Sequence, residues 1–188
     1  MADAARDLSG TVISPLTSSL LKAIVPAAVI AALPFVAGRR NLSMRDDIGL
    51  VRSPLLGSVM WLVLYMIWML TTDILIDWRG PWDFTPWRNQ TIAVSVLRVL
   101  GVGILGPIAE ELVFRGYAQA LLKRTPLKVD GSVIVVAIGW AALHYKYSGG
   151  TVAMLLVCGL MLSAAREATG SVITPTIMHT VWNLYAVW

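Results

Sequence analysis

The sequence predicts an all-α membrane protein, a polytopic bundle of about six transmembrane helices, and three observations predict it. Hydrophobic residues make up 57% of the 188 positions and charged residues only 14%, against about 25% charged in an average soluble domain. The apolar residues fall in long runs, not in short alternating strands, which selects helices over a barrel. The basic residues gather in the loops between those runs, where they act as topology signals. A net charge of +4 therefore marks loop placement, and no nucleic-acid partner is expected. The one cysteine, Cys158, lies in an apolar run and has no second cysteine to pair with inside the chain, so the redox compartment stays open.

Residues 1–14 are a polar start, and residues 13–37 are long enough for a first span that Pro26 and Pro34 should bend. A cleaved signal peptide is the weaker alternative. Phe35 spoils a small-x-small site at Val36 and Ala37, and only Arg6 precedes the distant Lys22. A basic loop with Arg39, Arg40, Arg45 and Arg52 leads to a second span at residues 55–76. Trp78, Trp82 and Trp87 then suit an interfacial belt.

Residues 91–122 are apolar for longer than a straight crossing requires, about 48 Å of helix against a hydrocarbon core of ~30 Å. Pro107 has no N–H for the Gly103 carbonyl, and Gly101, Gly103 and Gly106 weaken the same place. A single span kinked before residue 110 is expected. Lys123, Arg124 and Lys128 form a second basic loop. Helices at 132–144, 151–165 and 171–188 complete the chain, joined by turns at 145–150 and 166–170. Counting loops puts Arg39, Arg40, Arg45, Arg52, Lys123, Arg124, Lys128 and Arg166 on one side, the expected cytoplasmic side, with Arg79, Arg88 and Lys146 opposite and both termini outside. A prokaryotic cytoplasmic membrane is the expected location.

Chemistry concentrates at Glu110, Glu111 and Arg115, set in an otherwise apolar stretch. On a soluble helix such a run would be a solvated face. In a membrane span an ionised side chain costs at least ~2.5–3.5 kcal/mol, so it faces the bundle interior with a partner or a task. Glu111 and Arg115 are four apart with the acid N-terminal, the favourable order for a pair. Glu110 lies about 100° further round and is left over as a candidate base. The two histidines are His144, four residues after Trp140, and His179, four before Asn183. Taken singly, each reads as a hydrogen-bonded core residue. At 1.5 Å per residue from the expected cytoplasmic ends, however, Glu110, His144 and Asn183 lie about 18 Å deep and His179 about 12 Å. Rare polar groups from three helices at one level imply a shared buried site that admits water.

These residues fall in three ordered motifs: Glu110-Glu111-Leu-Val-Phe114-Arg115-Gly116, then Trp140-Ala-Ala-Leu-His144, then His179-Thr-Val-Trp-Asn183. In order and spacing they resemble those of the CAAX-protease and bacteriocin-processing intramembrane endopeptidases, the CPBP or ABI family. The resemblance runs from about Leu97 to Asn183 and takes in Arg166, Thr169, Gly170, Ser171 and Pro175. It divides the chain into a divergent N-terminal part, residues 1–90, and a catalytic helical core, residues 91–188, within one membrane domain. Trp140 stands where the family commonly has phenylalanine. The resemblance implies that Glu110 activates the attacking water beside His144, that His179 and Asn183 stabilise the oxyanion, and that Glu111 and Arg115 support the site. Elementary chemistry agrees: a carboxylate at low dielectric is a competent general base, and two donors one helical turn apart can address one oxygen.

No cofactor is favoured. Zinc held by Glu110, His144 and His179 is the alternative, disfavoured because no His-Glu-x-x-His helix is present and because it would take His179 from Asn183. The expected partners are a peptide or protein substrate, lipid-modified or not, and membrane lipids. Two other functions compete. A proton-coupled carrier would use Glu110 and the histidines as a relay, but no inverted repeat or paired broken helices are visible. A non-catalytic immunity or scaffold protein of the same fold would have little reason to keep so costly a set intact.

Overall fold

The computed structural model describes residues 14–76 and 89–187, and all regular structure among them is helical. Six helices follow one another: α1 (Pro15–Gly38), α2 (Leu55–Ile76), α3 (Ile92–Lys123), α4 (Lys128–Ala142), α5 (Gly149–Thr169) and α6 (Ile173–Val187). Of these, α1, α2, α3 and α5 are long and apolar enough to cross a membrane. The other two have 15 residues each, about 22 Å, less than the ~30 Å of a hydrocarbon core. Large apolar side chains such as Ile24, Phe35, Leu55, Ile74 and Ile92 point outward. So broad an exposed apolar surface would be a liability in water and is a lipid-facing surface here. The protein is an integral membrane helix bundle.

The expected spans at 13–37 and 55–76 correspond to α1 and α2. Ser14 caps α1 by accepting from the Thr17 N–H, and both Pro26 and Pro34 lie inside a continuous helix. The expected tryptophan belt at Trp78, Trp82 and Trp87, together with Arg79 and Arg88, lies outside the described residues. α3 is one span, as preferred from the charge distribution, but its break takes an unforeseen form. Two stretches, Val99–Leu105 and Leu112–Ala118, are wound as π-helix on either side of the α-helical Gly106–Glu111. The Gly106 N–H bonds to the Gly101 carbonyl, five residues back. Such π turns inside α-helices recur at functional sites.

Two boundaries differ from expectation. α4 begins at Lys128, earlier than 132, and stops at Ala142, so His144 stands in the turn after the helix and not on it. The turn expected at 166–170 is instead the last turn of α5, which runs to Thr169 and ends at Gly170 in the left-handed conformation, φ 67°. Charged residues there suggested a loop, yet each finds a partner from another segment while staying on the helix. The Arg166 guanidinium donates to the Asp47 carbonyl at 3.0 Å, and Lys123 pairs with Glu167 at 2.7 Å.

The same end of the bundle gathers the two basic loops. Arg124 bonds to the Asp47 carboxylate at 2.9 Å and to the Asn41 carbonyl at 3.3 Å. The Ser43 N–H and the Arg124 guanidinium hold the Asp47 carboxyl below its ordinary range. The segment 39–54 is further tied to the α5–α6 junction, where Ser171 donates to the Val51 carbonyl and the Val172 N–H to that of Gly49. Ser53, Ser58 and Thr174 share a hydroxyl cluster that seats α2 on α6.

Packing places the chemistry at the centre. One apolar cluster of Tyr65, Met69, Trp140, Leu155, Leu162, Met178 and Trp182 joins α2, α4, α5 and α6. A second, with Leu33, Ala37, Ile48, Leu112 and Val172, joins α1 to α3 and the loop between α1 and α2. At Gly101 the two backbones nearly touch, for a Cβ there would lie 2.7 Å from the Lys22 carbonyl oxygen. Only glycine permits that approach.

Candidate active site

The acidic pair lies between the two π stretches of α3, and the structure assigns its members separate surroundings. Glu111 is fully buried. Its Oε1 accepts from Arg115 Nη1 at 2.9 Å and from His179 Nδ1 at 2.8 Å. Arg115 is equally buried and spends its remaining donors on α5, Nε on Ser163 Oγ and Nη2 on the Gly159 carbonyl, each at 3.3 Å. The expected pair is therefore present, with His179 as a further member sixty-eight positions away in the chain. A buried pair is tolerable only when its other hydrogen-bonding capacity is met, and α5 and α6 largely meet it; Glu111 Oε2 alone has no partner.

Glu110, half-buried, faces α4. Its Oε2 accepts from Trp140 Nε1 at 2.7 Å. The Trp140 ring is the meeting point of the site: the Arg115 guanidinium lies 4.8 Å from a ring centroid, the His144 ring 4.9 Å, and the His179 ring meets it edge-on at 5.5 Å. The structure thus brings Glu110, His144 and His179 round one buried indole. The sequence marked Trp140 only as standing where phenylalanine is common; nothing in its spacing identified it as the hydrogen-bond donor to Glu110.

Both histidines have one ring nitrogen committed. His144 Nδ1 lies 3.0 Å from the Trp140 carbonyl, and His179 Nδ1 is engaged by the Glu111 carboxylate. Carbonyl and carboxylate oxygens only accept, so Nδ1 carries a proton in each ring and Nε2 is the nitrogen left for chemistry. Tyr147 stacks on His144 at 6.0 Å. His144 thereby keeps a defined orientation although it lies beyond the end of α4.

Asn183 has a different neighbour. Its Nδ2 donates to the Val102 carbonyl at 2.8 Å, and the π turn explains why. The Gly106 N–H, which would serve Val102 in an α-helix, is turned to Gly101, and the next residue is Pro107, which has no N–H. Val102 is left with an orphaned carbonyl and Asn183 supplies the donor. Asn183 shares no hydrogen bond with Glu110, His144 or His179 among the described residues. It retains a second amide hydrogen for another acceptor.

Among the described residues no three His, Cys, Asp or Glu side chains stand close enough to share a metal ion.

The family described as type II CAAX prenyl endopeptidase, Rce1-like, matches residues 92–185, half the chain, and the match includes all three motifs. The chain belongs to this family. Within the Rce1-like region lie α3 to α5 and α6 as far as Tyr185, with every residue of the site just described. The chain is also similar to an uncharacterized 24.3 kDa protein of Escherichia coli, 26% identical over 152 residues, which are 80% of this chain and 65% of that relative. It thus spans somewhat under two thirds of the relative's length. No solved structure matches it.

Proposed function

We propose that this Rce1-like protein is an intramembrane endopeptidase that hydrolyses a peptide bond of a membrane-associated substrate with a water activated by Glu110. The observation that carries the proposal is the assembly of Glu110, His144 and His179 round the buried Trp140, inside a bundle of membrane-length helices. Trp140 engages one carboxylate oxygen of Glu110, which leaves the other for a water that His144 Nε2 helps orient. As the water oxygen bonds to the peptide carbonyl carbon, its proton passes to Glu110. The oxyanion takes hydrogen bonds from protonated His179, held by Glu111, and from the second amide hydrogen of Asn183. The C–N bond then breaks as Glu110 returns the proton to the leaving amine. A carboxyl terminus and an amino terminus result.

No metal enters this scheme, since Glu110 acts as a base in it and His179 as a donor. Activity of the purified protein is expected to survive prolonged chelation, with less than stoichiometric zinc by elemental analysis. Loss on chelation that zinc alone restores would overturn it.

The substrate class we favour is a peptide carrying a lipid anchor, since the family is named for prenyl substrates. The site is reached from the cytoplasmic face of a prokaryotic membrane. The clustering of Arg124, Asp47 and Arg166 at one end supports the shared side of the two basic loops. Single cysteines replacing Arg45 and Leu127, both exposed, in a background lacking Cys158, should label with an impermeant thiol reagent only after the inner face is opened. Cysteine replacing Lys146 should label from outside. Opposite labelling of Arg45→Cys and Leu127→Cys would end this topology.

A further inference from the structure

We propose that Trp140 is a positioning residue for Glu110: its indole N–H holds Oε2 of the carboxylate so that Oε1 alone faces the water. The inference rests on the proteolytic reading above and adds to it a residue that touches neither water nor substrate.

Three features carry it. The hydrogen bond is short, 2.7 Å, and crosses from α4 to α3. The ring that donates it is only 3% exposed and is held by different groups: the Arg115 guanidinium at 4.8 Å, the His179 ring edge-on at 5.5 Å and the His144 ring at 4.9 Å. The donor therefore stays in place while the carboxylate of half-buried Glu110 has no other hydrogen-bond partner among the described residues. An indole N–H can donate but cannot accept, so it fixes the carboxylate without competing for the water's proton. Without it the Glu110 carboxylate is free to rotate about its own side-chain bonds, and a misplacement of about 1 Å at a reacting group can cost on the order of 100-fold in rate. A phenylalanine ring would fill only part of that space and leave the carboxylate that freedom.

Two replacements at position 140 separate ring from donor: Trp140→Phe, and benzothienylalanine, which keeps the bicyclic ring and puts sulfur where the N–H was. Full-length protein in detergent is assayed on a quenched-fluorescent farnesylated CAAX peptide, with Glu110→Gln as the reference for the proteolytic reading. Both replacements are expected to lower kcat by about 10- to 100-fold with KM unchanged; thermal stability is expected to hold in the benzothienylalanine protein and to fall only in Trp140→Phe, whose smaller ring underfills the core. That pattern marks an interaction realised in the transition state. In parallel, the indole resonance that disappears in Trp140→Phe is expected to shift in Glu110→Ala, a readout that does not depend on the peptide being cut. An unchanged kcat in both replacements, a change confined to KM or stability, or an indole resonance indifferent to Glu110→Ala would each overturn the assignment. An active Glu110→Gln protein would instead overturn the proteolytic reading.

Discussion

Glu110→Gln is expected to abolish peptide hydrolysis, with a loss in kcat of at least ~100-fold, the lower bound for a positioned general base, while the protein still inserts and folds. Glutamine has the same shape and keeps an oxygen that can accept from Trp140 Nε1, the one side-chain hydrogen bond that Glu110 makes among the described residues. What it lacks is a proton acceptor of useful basicity. Glu110 is half-buried and belongs to no ion pair among the described residues, so folding loses little by the change. Cleavage measured beside a melting curve on the same preparation separates the two effects. A variant that melts like the parent and still cleaves would remove Glu110 from catalysis, and a poorly folded one would show that its role is structural.

Arg115→Ala should do the reverse and lower stability by about 3–5 kcal/mol, the usual cost of stranding one partner of a buried pair. That is a large share of a total that rarely exceeds about 15 kcal/mol. The guanidinium is 1% exposed and binds Glu111, Ser163 and the Gly159 carbonyl while lying against the Trp140 ring. Its removal leaves the Glu111 carboxylate with His179 alone and an unfilled space between α3 and α5. Activity should fall with the amount of folded protein, so the test is the melting temperature and yield in detergent, read against Glu110→Gln. Glu111→Ala should behave similarly, because it leaves Arg115 as the uncompensated charge. If either variant melts within a degree or two of the parent, the pair is not what holds α3 to α5.

Much of the architecture was legible because a membrane imposes length. The span at 55–76 is bounded by Pro54 and by polar residues beyond Ile76, and the chain has no other way to hide so many apolar side chains. Where polar residues occur in a helix the same rule misleads. Arg166 and Glu167 suggested a turn, yet they remain in α5 because Asp47 and Lys123 reach them from segments far away in sequence. Lys128 and Asp130 belong to the first turn of α4, where a helix end at an interface tolerates charge. His144 was placed on a helix by its neighbours and stands two residues beyond its end.

The sequence by itself determined the class of the protein, the number of helical segments among the described residues, the shared side of the basic loops and the pairing of Glu111 with Arg115. All of these follow from hydropathy, charge bias and separations of a few residues, which local geometry converts directly into position. Only the tertiary structure decided that His179 completes the Glu111 pair, that Trp140 is the donor to Glu110, and that Asn183 serves the Val102 carbonyl. The first two join groups thirty or more residues apart. The third depends on a π turn, in which one amide bonds five residues back and not four. A hydrogen bond acts over about 3 Å, so which of several polar side chains finds which partner depends on the packing of α3 against α4 and α6, and spacing along the chain does not contain it.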